Sequence, residues 1–234
     1  MLPFFAVAVA ADHASVRETF SALFPGDTAP VQVNPFGRVA LPLHELSPEE
    51  IEADRREEGL VTPEQQSRGV VAVGPKRAGV AVYDHFRGTD PPGVDTWATS
   101  ATIERLLRLA SGWFDACSKT ADPRLCTLHI GDLAYVDDRR PDPLGHKDHY
   151  AGTCVDLRLF RTDTSRYEAW WNRPDDRTGR TVYDRERTTA FLRYAYTHSP
   201  LGDVFFNDPT VIAAVPGVKP LKGHDDHIHM CFAE

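Results

Sequence analysis

His227-Ile228-His229-Met230-Cys231-Phe232 and Val155-Asp156-Leu157-Arg158-Leu159-Phe160 are the two stretches that decide the fold. Successive side chains of a strand point to opposite faces, so His227 and His229 share one face while Ile228 and Met230 share the other. Asp156 likewise projects away from Val155, Leu157 and Leu159. Paired antiparallel, these strands merge their apolar faces into a core and bring Asp156 to the histidines. The expected class is α+β: an antiparallel sheet carrying a polar constellation, flanked by helices, with long loops.

Other elements are legible around this pair. Ile103, Leu106, Leu107, Ala110 and Phe114 recur at helical spacing and predict a helix over 100–116. Leu125 to Ile130 reads as a strand ending at Gly131-Asp132. Asp184 can cap a helix carrying Phe191, Tyr194, Ala195 and His198 on one face. Val204-Phe205-Phe206 reads as a short strand stopped by Asn207-Asp208-Pro209, and 69–73 and 79–83 read as strands around a turn at Gly74-Pro75. The chain shows no internal repeat and no βαβ rhythm.

Residues 1–75 read differently. A strand-like run from Phe4 to Ala10 precedes a helical pattern from His13 to Phe24, and Ser47-Pro48-Glu49-Glu50 is a good helix start. The apolar N-terminal run also has the length of a signal-peptide core, but no Lys or Arg precedes it. Nothing here carries chemistry. The expected organisation is an N-terminal region over 1–75, suited to docking or delivery, and a metal-binding domain over 76–234. No window approaches the ~20 apolar residues of a membrane span. A net charge of -8 without a basic stripe argues against a nucleic-acid partner.

Five of the ten histidines fall into Gly145-His146-Lys147-Asp148-His149 and Gly223-His224-Asp225-Asp226-His227-Ile228-His229. His149, Asp156 and one histidine of the His-x-His pair make three ligands, the number that leaves an open position on a catalytic zinc ion. His149 enters from the loop before the strand, and Gly152 relaxes the turn between them. His13, His44, His85, His129 and His198 read as ordinary surface or core histidines. Trp170, Trp171 and Tyr167 could wall a substrate cleft but equally suit core packing, and they stay outside the predicted site.

Gly145-His146-x2-His149-x2-Gly152-x3-Asp156 and Gly223-His224-x2-His227-x-His229 resemble the signature of the penicillin-insensitive murein endopeptidases. These belong to the group that includes lysostaphin-type peptidases, D-Ala-D-Ala metallopeptidases and hedgehog. Thr127 to Asp132 and Val204 to Pro209 match in order, and the resemblance spans roughly 95–233. It implies one Zn2+ per chain on His149, Asp156 and His229. It places His227 as the catalytic imidazole, with His224 and His146 lining the site. It also implies hydrolysis of peptide cross-links in peptidoglycan, in the periplasm or cell wall. Asp148 stands where the family carries Ser, and Thr153-Cys154-Val155-Asp156 replaces Leu-Asp-Val-Asp. Both changes spare the ligands and bear on which bond is cut.

On this reading His227 shuttles a proton to the leaving amine, and His224 or His146 stabilises the oxyanion, best when protonated. Asp132, Asp148, Asp225 and Asp226 are acidic groups that could orient the imidazoles; Asp132 is the candidate singled out, though an Asp that caps the end of a strand is its ordinary reading. A D,D-carboxypeptidase is the nearest alternative; a non-catalytic zinc module is the alternative of another class, disfavoured by the surplus histidines. A delivery or immunity protein is the expected partner of residues 1–75.

Two cysteine pairs remain. If Asp156 faces His229, the same register places Cys154 opposite Cys231, with Cβ atoms about 4.5–5.5 Å apart. A cross-strand disulfide and thiolate ligation of the metal both fit that placement. Cys117 and Cys126 could form a local bridge or remain free thiols.

Overall fold

Val155, Leu157, Ile228 and Met230 are buried, and the strands that carry them pair antiparallel at the centre of a six-stranded sheet. The computed structural model describes residues 14–19, 21–22, 31–40, 80–82, 96–134, 149–163, 169–176 and 178–233. Its strands are β1 (Val39–Ala40), β2 (Val80–Val82), β3 (Trp97–Ala98), β4 (Leu128–Ile130), β5 (Cys154–Arg158), β6 (Leu201–Phe205), β7 (Val218–Lys219) and β8 (His227–Phe232). Its helices among the described residues include α1 (Ser100–Cys117), α2 (Arg185–His198) and α3 (Pro209–Ala214).

The main sheet runs β2-β4-β5-β8-β6-β7, with β1 and β3 forming a separate pair. Its four central strands are antiparallel, but β2 runs parallel to β4 and β6 parallel to β7. The expectation of a wholly antiparallel sheet without βαβ connections is therefore corrected. The physical reason is connectivity: α1 lies between β2 and β4, and α3 between β6 and β7, so each following strand can return in the same direction. Asp156 pairs with His229 and Cys154 with Cys231, the register expected from the sequence.

Helix α1 begins where the Thr99 side chain accepts the Thr102 N–H, and buries Ile103, Leu106, Leu107 and Ala110 as predicted. Trp113, rather than Phe114, completes that face. Its ring meets Phe160, Phe191 and Tyr194 edge-on at 5.5–5.8 Å, joining α1 to α2. Full burial of each such large side chain contributes on the order of 2 kcal/mol. In α2 the buried stripe is Thr188, Phe191, Leu192 and Ala195; His198 is exposed and stacks on Tyr194.

Two further boundaries differ from expectation. The strand begins at Leu128, because Asp122 and Pro123 start a 3-10 turn over Pro123–Cys126 and Cys126 is bonded to Cys117. Asn207-Asp208-Pro209 does not merely stop a strand. The Asp208 carboxylate accepts the Thr210 N–H at 2.9 Å and opens α3, with Pro in the first turn. The two-residue strands β1, β3 and β7 are too short to leave a periodic signal.

Part of the region over 1–75 shares this core. Residues 14–19 and 21–22 are helical, and Val16, Val31 and Val39 are buried in the same cluster as α1. Ser15 Oγ donates to Glu104 at 2.8 Å, and Arg108 donates to Thr19 Oγ1 at 3.1 Å. The Phe4–Ala10 run, the helix start at Ser47 and the strand over 69–73 lie outside the described residues.

Gly152 sits at φ +72, and a Cβ at this position would lie only 3.1 Å from the Thr99 amide nitrogen. Gly152→Ala is therefore expected to destabilise the protein by about 1–2 kcal/mol. Urea unfolding would measure it, and an unchanged midpoint would remove the turn as a constraint.

Candidate metal centre

His149 opens a short 3-10 turn before β5, Asp156 lies mid-strand on β5, and His229 lies opposite it on β8. All three are buried. His149 Nε2 lies 3.2 Å from Asp156 Oδ1 and 3.1 Å from His229 Nδ1, and His229 Nδ1 lies 2.9 Å from the same Oδ1. These three were the predicted ligand set, and the fold brings them to one point.

The outer partners of the two rings decide what meets there. His149 Nδ1 lies 2.7 Å from the Leu133 carbonyl, which can only accept, so Nδ1 carries the hydrogen and Nε2 the lone pair. His229 Nε2 lies 3.2 Å from Cys231 Sγ, and that sulfur is disulfide-bonded and also only accepts. With its Nε2 hydrogen on that sulfur, Nδ1 of His229 presents its lone pair inward. In these tautomers two imidazole lone pairs and a carboxylate oxygen converge, an arrangement that calls for a positive charge, a proton or a metal ion, at that point. Ligands of a tetrahedral zinc ion lie about 3.3 Å apart, close to the observed spacing. The donor set fits a zinc ion.

The local field expresses the same demand. Burial opposes charge on His149, yet the Asp156 carboxylate outweighs it and raises the imidazole pKa. Burial likewise opposes ionisation of Asp156, but His149 and His229 hold its carboxyl well below the usual range.

The loop bearing His149 is pinned from three sides. Gly152 N–H donates to the His149 carbonyl at 2.8 Å, and Thr99 N–H to the Gly152 carbonyl at 2.9 Å. The buried Arg38 guanidinium donates to the Tyr150 carbonyl, so the segment around β1 reaches the metal loop. No local signal in the sequence announced Leu133 or Arg38; both act through spatial neighbours far along the chain.

His227 stands on the same face as His229, half-buried. Its Nδ1 lies 2.8 Å from Asp226 Oδ1 and its Nε2 3.8 Å from Asp156 Oδ2. Burial lowers the readiness of His227 to protonate, and Asp226, with Asp156 behind it, more than restores it. The His224 ring centroid lies 4.7 Å from that of His227, and its Nδ1 meets the Leu221 carbonyl at 3.1 Å. Burial and the neighbouring His227 lower its pKa.

Of the four acidic candidates, Asp226 orients an imidazole directly. Asp132 is buried and its carbonyl accepts the Asp156 N–H at 2.7 Å; its charge favours protonation of His149 and His227. Asp225 does not touch the histidines through its carboxylate. That group accepts from Trp171 Nε1 at 3.0 Å and Asn207 Nδ2 at 2.8 Å, while Asn207 Oδ1 accepts the Leu221 N–H at 2.9 Å. Trp171 and Asn207 thus brace the loop holding His224 and His227, a role the sequence did not disclose. His146 and Asp148 lie outside the described residues.

Both cysteine pairs are disulfides, Cys117–Cys126 and Cys154–Cys231. The bridge beside the site takes Cys154 and Cys231 out of thiolate ligation while it stands. No protein-family model matches the chain, and no curated protein matches it.

Single substitutions should divide the cluster. His149→Ala, Asp156→Ala and His229→Ala are expected to cut bound zinc from about one ion per chain to nearly none, because three ligands leave no reserve. His224→Ala and His227→Ala are expected to retain it. Elemental analysis after gel filtration would read the difference, and loss of zinc from His227→Ala would move that residue into the ligand set.

Proposed function

We propose that the chain is a zinc metallopeptidase that hydrolyses peptide cross-links of bacterial peptidoglycan, of the D,D-endopeptidase type. The observation that carries the hydrolase reading is the convergence of three lone-pair donors beside an Asp–His pair. The peptidoglycan substrate rests on the two spaced histidine motifs and their resemblance to the murein endopeptidases.

His149 Nε2, Asp156 Oδ1 and His229 Nδ1 would hold the zinc, which would supply Lewis acidity and lower the pKa of a water molecule. The residues around them do the positioning and the proton transfer. Asp226 fixes the hydrogen of His227 on Nδ1, so Nε2 is free to accept the proton of the attacking water. The same nitrogen returns it to the leaving amine. Asp226 offsets the charge that His227 carries between these two steps. His224 has its Nδ1 engaged with Leu221, so its Nε2 becomes a donor to an oxyanion only after taking up a proton.

No helix among the described residues is long and apolar enough to cross a membrane. The two disulfides suit an oxidising compartment, and the proposed place of action is the periplasm or cell wall.

Purified peptidoglycan digested with the protein, with and without a chelator, would test the reading. Mass spectrometry should show cross-linked muropeptides split into monomers, abolished by chelator and restored by zinc. Release of single D-alanine residues would make it a carboxypeptidase; no zinc-dependent product would overturn the enzyme. His227→Ala is expected to lower turnover by about 100- to 10,000-fold with zinc retained.

A further inference from the structure

The His229 ring stands between two donor sets. Its Nδ1 faces His149 and Asp156, while its Nε2 lies 3.2 Å from Cys231 Sγ, whose partner Cys154 is the directly opposed residue on β5. The nitrogen and the two sulfurs lie within 4.8 Å of one another, as do the donor atoms of the His149–Asp156–His229 set. We propose that Cys154, Cys231 and His229 form a second, thiolate-rich metal site that exists only when the Cys154–Cys231 bond is reduced and that competes with the first for His229.

Exclusivity follows from imidazole chemistry. A neutral ring has one lone pair and one N–H. With the disulfide intact Sγ can only accept, so a metal on the first site takes the His229 lone pair at Nδ1, facing His149 and Asp156, and the ring hydrogen sits at Nε2 toward the sulfur. A dithiol reductant transfers two electrons to the bridge: the S–S bond breaks, Cys154 and Cys231 gain thiols, and the reductant closes its own disulfide. Metal binding then displaces the two thiol protons, and two thiolates with a histidine nitrogen make a soft donor set that zinc favours. To join it, His229 must place its lone pair on Nε2 and its hydrogen on Nδ1, which withdraws it from Asp156 and His149. One covalent bond thereby selects where the metal sits. A chain in a reducing compartment would hold zinc in the wrong place for hydrolysis, and oxidation would restore the first site.

This proposal rests on the metal-binding reading of His149, Asp156 and His229, and the test separates the two. Cobalt(II) would be titrated into the full chain, oxidised and after dithiol treatment. The oxidised protein should show only the visible bands of nitrogen and oxygen ligation. The reduced protein should add a sulfur-to-cobalt charge-transfer band in the near ultraviolet, absent from Cys154→Ser/Cys231→Ser. His149→Ala should bind cobalt only when reduced. X-ray absorption on the wild-type zinc protein needs no variant and should show sulfur neighbours at about 2.3 Å only after reduction. Cobalt bound in both states without sulfur ligation would overturn this proposal alone. Cobalt bound only to the reduced chain, through sulfur, would sustain the thiolate site and overturn the first. No binding in either state would overturn both.

Discussion

The pairing of β5 with β8 is the constraint on which the rest depends. Asp156 opposite His229 puts a carboxylate oxygen and an imidazole nitrogen 2.9 Å apart, and the pair beyond it, Leu157 opposite Ile228, lies in the core. A slip of one residue would turn every side chain of a strand to the other face, placing Val155 or Leu157 at the metal point and Asp156 in the core. Two features prevent it. Burial of Val155, Leu157, Ile228 and Met230 fixes which face is inward, and the Cys154–Cys231 bridge fixes which residue faces which. The central place of both strands, between β4 and β6, leaves neither with a free edge.

Around that ladder the architecture supplies hydrogen-bond partners that settle proton positions. The Leu133 carbonyl and the Cys231 sulfur, from different strands and loops, are acceptors at the outer nitrogens of the two rings and leave the inner nitrogens to face Asp156. Asp226 does the same for His227, holding its hydrogen on the outer nitrogen. The site is thus divided by position: two inner ring nitrogens face Asp156, and one imidazole, oriented by Asp226, stands alongside. Buried segments of the N-terminal region, through Val16, Val31, Val39 and Arg38, belong to the same packing that steadies the His149 loop.

Most of the site was legible because strand alternation is a local rule. His-x-His and Asp156 within an apolar alternation specify a shared face without any tertiary knowledge, and the resemblance chose His229 over His227. The register of the cysteines followed from the same pairing. The parallel outer pairings were not legible: β7 is two residues long, too short for a period to show, and β2, read from the sequence over 79–83, carries no signal of which strand it joins or in which direction. Nor were the braces. Trp171 reaches Asp225 across a sequence separation of 54, and Arg38 reaches Tyr150 across 112. Helix α3 was within reach, since Asp208-Pro209 is a cap followed by a first-turn proline, but six residues carry little periodicity.

The sequence by itself determined the chemistry on offer: a strand pair with imidazoles and a carboxylate on one face, apolar residues on the other, and cysteines in register. Those follow from side-chain alternation and residue type alone. Only the tertiary structure decided which nitrogen of each ring is presented, which acidic residue orients His227, and that Cys154 and Cys231 are joined beside the ligands. Those outcomes depend on carbonyls, carboxylates and sulfurs brought in from elsewhere in the chain. A lone pair points where its neighbours leave it, and neighbours in space are what a linear pattern does not record.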